Sequence, residues 1–194
     1  RLNPKNCSMK RSYLIFFLIP ILFACDPDRK KKVDPNKSKF ETLESSELFF
    51  KNMRQSYYDL DEKRKAGIEI YRLQDRLDDD KQPLINLSII YNWRIDEAFI
   101  YVEPNPFFKD STKFTIVWKD TLTQQQGEFA FTKGNRESHF KFTAKVYNSI
   151  LDEHKLFYKE EDELFPLLDT EVERDVFRVT MFDFFRLVNY FSSK

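Results

Sequence analysis

The sequence predicts an α+β fold, an antiparallel sheet or sandwich followed by C-terminal helices. Three observations carry that expectation. Short alternating stretches separated by turn residues give five or six strands in about 85 residues, the spacing of antiparallel sheets. Beyond residue 138 the apolar period changes from two to about four, as on a helix face. Phe, Tyr and Trp make up 16% of the 194 residues, so the chain holds the aromatic area for a core.

The elements follow in order. Glu47–Leu60, ELFFKNMRQSYYDL, has two readings. Phe49, Met53, Tyr57 and Leu60 form a helical stripe, while the aromatic density and the next segment favour a strand. Gly67–Leu73 alternates as a clear strand, and Asp75–Pro83 is a charged loop. Two strand-like stretches run from Leu84 to Glu103, and Pro104, Pro106 and Asp110-Ser111 mark a longer loop. Phe114–Trp118 and Glu128–Thr132 are the next strands, and Lys133-Gly134-Asn135 is a turn. Phe142, Val146 and Ile150 predict a helix from about Ser138 to Asp152. Lys155–Tyr158 and Leu164–Leu168 form a hairpin around Glu160–Glu163.

In the last helix Asp169 or Thr170 is the cap, and Glu171 and Glu173 suit the positive end of its dipole. Phe177, Met181, Phe184, Val188 and Phe191 form one stripe, and Phe182 and Phe185 fall outside it. Such a helix either packs between two layers or offers Phe182 and Phe185 to a partner.

The N-terminal residues give an address. Lys10 and Arg11 precede an apolar run, Tyr13–Ala24, that Pro20 interrupts. A spanning helix needs roughly 20 residues, so the run reads as a secretory signal, with Met9 as the start and residues 1–8 as upstream sequence. Leu22-Phe23-Ala24-Cys25 resembles a bacterial lipobox: a branched aliphatic three residues before a cysteine, then a small residue beside it. That resemblance implies cleavage before Cys25, a thioether lipid on its sulfur and acylation of the new amine. With its aromatic-rich body, the chain resembles the envelope lipoproteins of flavobacteria-like bacteria. This implies an outer-membrane anchor facing the periplasm or the cell surface. In that group an acidic stretch after the cysteine is linked to surface display, whereas here Asp26 and Asp28 are followed by the basic run Arg29–Lys32. Residues 25–44 are polar and read as a tether, and 45–194 as one globular domain.

Composition narrows the function. From Cys25 onward the chain carries 28 basic and 32 acidic residues, without the basic excess of a nucleic-acid binder. The two cysteines are Cys7, upstream of the start, and Cys25, which leaves no disulfide and no cysteine metal site. His139 and His154 lack metal-ligand spacing, and no nucleophile motif is present. The carboxylate runs Asp78–Asp80, Asp96-Glu97 and Glu160–Glu163 read as solvated loops. No catalytic residue, cofactor or metal is expected. Trp93 with its neighbour Arg94, and Trp118, are candidate platforms for a sugar or peptide. The expected function is therefore a lipid-anchored, non-enzymatic accessory subunit that docks on a membrane protein complex. A glycan- or peptide-binding module is the alternative, and a hydrolase without a recognisable motif ranks third.

Overall fold

A computed structural model describes residues 30–192. The signal, the lipobox and Cys25 lie outside the described residues. Among the described residues the compact unit begins at Lys32. Helix α1 (Glu44–Met53) leads through a 3-10 turn to a meander of four antiparallel strands: β1 (Tyr58–Lys63), β2 (Ile68–Leu73), β3 (Ile85–Asn92) and β4 (Glu97–Pro104). A second antiparallel sheet holds β5 (Lys113–Lys119), β6 (Gln126–Thr132), β7 (Lys155–Glu160) and β8 (Glu163–Leu167) in the order β6-β5-β7-β8. Helix α2 (Arg136–Leu151) joins β6 to β7, and α3 (Glu171–Leu187) closes the chain. The expected α+β class, with two antiparallel sheets and a C-terminal helix, is what the chain adopts.

Period-two alternation works here because each sheet buries one face. Tyr71, Ile89, Ile100 and Val102 fill the inner side of the first sheet, and Phe114, Ile116, Phe131, Leu156 and Tyr158 that of the second. Helix α2 is apolar on two sides because it meets both partners. Its Phe142 ring packs against Phe114 and Phe131, and its Phe140 ring against Phe184 and Phe185 of α3. Asn135 caps α2 by accepting the Ser138 N–H at 3.1 Å. Thr170 caps α3, where Glu173 returns the bond by accepting the Asp169 and Thr170 N–H groups.

Three expectations need correction. The stretch Glu47–Leu60 is mainly a helix, not a strand; only its end becomes β1. Its helical stripe is also not the buried face. Phe50 is the buried residue of α1, whereas Met53 is 59% exposed. The polar tether stops well short of residue 44. Val33 and Phe40 are two apolar anchors that bury in the core. The Asn148 side chain holds both the N–H and the carbonyl of Val33, at 3.0 and 2.8 Å. Phe40 and Thr42 bond along the edge of β4, with Ala98 N–H donating to the Phe40 carbonyl at 2.8 Å. This strap covers an edge that would otherwise invite another strand.

The third correction concerns Phe182 and Phe185. They are 5% and 0% exposed, covered by the chain itself. Phe185 meets Phe140, Tyr147, Tyr190 and Phe191, and Phe182 lies against Phe191 with the Arg186 guanidinium over its ring. The helix is apolar over much of its girth because it packs between layers, so these two side chains offer no face to a partner.

Candidate functional site

The expected platforms fall in different sheets. Trp93 and Arg94 sit in the β3–β4 turn. Arg94 lies across Gly67, where a Cβ would come within 2.5 Å of its Cγ, and Gly67 has φ +73°, a conformation that favours glycine. The Arg94 guanidinium donates to the Lys65 carbonyl at 3.0 Å and lies 5.4 Å from the Trp93 ring centre. Arg94 is thus engaged in joining two turns, and Trp93, 45% exposed, stands beside it at the end of the sheet.

Trp118 has a different setting. It lies on the inner face of β5, directly opposite Gly127 of β6. A Cβ at residue 127 would approach the indole Nε1 to 2.7 Å, so glycine there lets the indole lie flat across the neighbouring strand. Strand β7 pairs on the other side, with Lys119 opposite Lys155. That register brings His154, the residue before β7, over the indole. The two rings stack at 4.6 Å and 16°. Phe129 stacks on the far side at 6.4 Å.

The end of α2 fixes the imidazole. The His154 N–H donates to the Ser149 carbonyl at 3.1 Å, the Ser149 hydroxyl meets His154 Nδ1 at 2.8 Å, and Arg174 donates to the His154 carbonyl at 2.6 Å. Ser149 is buried, so its hydroxyl orients the ring instead of facing the surface. Around this stack opens a groove of about 330 Å³, within the range of small-ligand sites. Lys145 and Asp152 stand on its rim and Pro35 of the strap closes one side. Lys145 Nζ lies 5.9 Å from the Phe129 ring centre, and Asp152 pairs with Lys32 at 2.6 Å. The arrangement offers a rigid aromatic wall beside one cation and one anion. Such a wall suits a sugar ring or a planar peptide group, held by stacking and oriented by the charges.

Of the expected site residues, Trp118 enters this groove and Trp93 and Arg94 do not. Phe129, Lys145, Asp152 and His154 carried no sequence signal as a set. The histidines behave differently from each other. His154 sits just past a helix end, whereas His139, in the first turn of α2, is fully buried. Its Nδ1 accepts the Val102 N–H of the β4 edge at 3.1 Å, its ring stacks on Tyr101 at 4.5 Å, and its Nε2 has no protein hydrogen-bond partner. Burial, helped by the nearby Lys133 charge, pushes its pKa down from 6.5 to about 4.

Among the described residues no group of three or more His, Cys, Asp or Glu is placed to hold a metal ion, and no helix is long and apolar enough to cross a membrane. The chain matches no family model, no curated protein and no solved structure.

Proposed function

We propose that this chain is a small binding module, lipid-anchored through Cys25 at the cell envelope, that holds a glycan or peptide in the Trp118 groove. The observation that carries the reading is the Trp118–His154 stack. Two rings are held parallel in an open groove, with the imidazole fixed by Ser149 and the indole seated over Gly127. A preorganised aromatic surface limits the side-chain ordering that binding requires.

The test uses Trp93→Phe protein, in which Trp118 is the remaining tryptophan. Titration with N-acetylglucosamine oligomers and with muropeptides should give a saturable change in its emission. Gly127→Val should abolish that response by lifting the indole, while far-UV circular dichroism shows the sheet retained. A flat response across both probe classes sinks the reading.

A second reading, docking on a membrane protein complex, draws on helix α1. Leu48, Phe49 and Met53 are exposed there, Leu48 to 61%, as is Tyr57 of the 3-10 turn that follows, and exposed apolar clusters mark interaction sites. On this reading, replacing Leu48, Phe49 and Met53 by serine removes co-purifying membrane proteins from detergent extracts without lowering the yield of folded chain. Unchanged partners, or none with the native chain, count against it.

A further inference from the structure

The outer face of the second sheet gathers four lysines on two neighbouring strands. The whole chain is neutral, with 32 basic and 32 acidic residues. Inner-facing positions of β5 and β7 include Phe114, Ile116, Leu156 and Tyr158, so the alternate positions point outward. These place Lys113 and Lys119 of β5 and Lys155 and Lys159 of β7 on one face. The outward carboxylate on the adjoining β6 is Glu128, paired with Lys159 at 2.7 Å.

Lys119 and Lys155 stand directly opposite each other across the strand pair. Like charges in that position destabilise a sheet. Lys119 lies over the Phe157 ring at 5.1 Å, which offsets part of that repulsion. Phe157 lies between Lys155 and Lys159 on β7, and Pro166 and the exposed Leu164 carry the apolar surface onto the edge strand β8.

The chain path adds a second constraint. Lys32, the first residue of the compact unit, pairs with Asp152, three residues before Lys155. Cys25 lies seven residues before Lys32, a reach of at most about 25 Å of extended chain. A lipid on Cys25 would keep this end of the second sheet within that reach of a bilayer, and the lysines decide which face turns to it.

We infer that the outer face of the second sheet lies against an anionic membrane surface, with Lys113, Lys119, Lys155 and Lys159 meeting phosphate head groups. The inference rests on the anchor at Cys25 for its geometry and on the lysine face for its chemistry. Trp118 and Phe129 are on the opposite side of the same sheet, so this orientation leaves the groove free.

The test reconstitutes the full, membrane-extracted chain in vesicles of phosphatidylcholine alone or of phosphatidylcholine with phosphatidylglycerol. Lysine reactivity towards an acylating reagent is then mapped by mass spectrometry. The four lysines should react severalfold more slowly in the anionic vesicles, while Lys63 at the end of β1 and Lys65 of the turn after it react equally in both. Lys119→Gln with Lys155→Gln should remove the protection of Lys113 and Lys159. Equal reactivity of the native lysines in the two vesicle types overturns the inference.

The mass of the Cys25 peptide reports the anchor separately. If it carries no acyl chain, that reading fails, and soluble protein is added to the same vesicles. Salt-sensitive binding to the phosphatidylglycerol vesicles alone, lost in the double variant, then supports the face, and its absence overturns it.

Discussion

Replacing Asp183 by alanine is expected to lower stability by about 3–5 kcal/mol, a fall of about 10 °C in Tm for a chain of this size. Asp183 is buried in α3 among phenylalanines, yet it is fully engaged. The Arg54 Nε lies 2.9 Å from both carboxylate oxygens, the guanidinium adds a second nitrogen at 2.9 Å, and the Tyr58 hydroxyl donates at 2.7 Å. Arg54 ends α1 and Tyr58 opens β1, so one carboxylate ties three elements together. Burial raises the Asp183 pKa above its ordinary value, while Tyr58 and Arg54 oppose that by favouring the charged form. Truncation leaves a guanidinium and a phenol without their partner, and that loss dominates. Replacing the whole group at once, with Arg54→Met, Tyr58→Phe and Asp183→Leu, should restore much of the loss. No charge is then stranded, and the apolar side chains fill the space. Urea denaturation of the single and triple variants measures both effects. A cost below 1 kcal/mol for Asp183→Ala would show that the buried pair contributes little.

This group illustrates what a sequence shows and what it withholds. Strands β2 to β6 were legible because each carries its core face as a local alternation, Ile89 and Tyr91 inward against Ile90 and Asn92 outward. The cap of α3 was legible as Asp169 or Thr170 because residue type and position mark a helix start, and the reciprocal pairing with Glu173 decides for Thr170. Asp183 and Arg54 are 129 residues apart and gave no signal. Helix α1 was misread because it buries little more than Phe50, so its pattern of apolar residues does not mark its packed side. The same limit hid the groove. Trp118 could be singled out by type, but His154 reaches it only because α2 returns the chain to pair β7 with β5. Lys145 and Asp152 arrive on that same helix and the turn that follows it. The packed strap from Val33 to Thr42 has the composition of a spacer, because two apolar anchors in a polar stretch do not register as composition. Their partners, Asn148 and the β4 edge, are supplied by the fold.

Acid should destabilise the protein through His139 before most carboxylates are protonated. The imidazole is buried as the neutral form. Its Nδ1 accepts the Val102 N–H, a bond that the protonated ring cannot make, and the Lys133 charge adds repulsion. In the unfolded chain the ring titrates near 6.5, and in the folded chain at about 4. Between those values the unfolded state holds one more proton, so stability falls as pH falls. It is complete above about pH 6.5 and declines through that window by up to about 3 kcal/mol, levelling off below about pH 4. His139→Gln keeps an acceptor for Val102 and has no charge to gain. At pH 7 the variant should be less stable than the native chain, because the stacking on Tyr101 is lost. Between pH 6.5 and 4 the two stability curves should converge, the native one dropping and the variant's changing only as the remaining groups dictate. Because every other titratable group is common to the two chains, the difference between their curves isolates His139. A native curve parallel to that of His139→Gln would mean that the ring takes up its proton inside the fold. The Val102 edge would then have to find another partner.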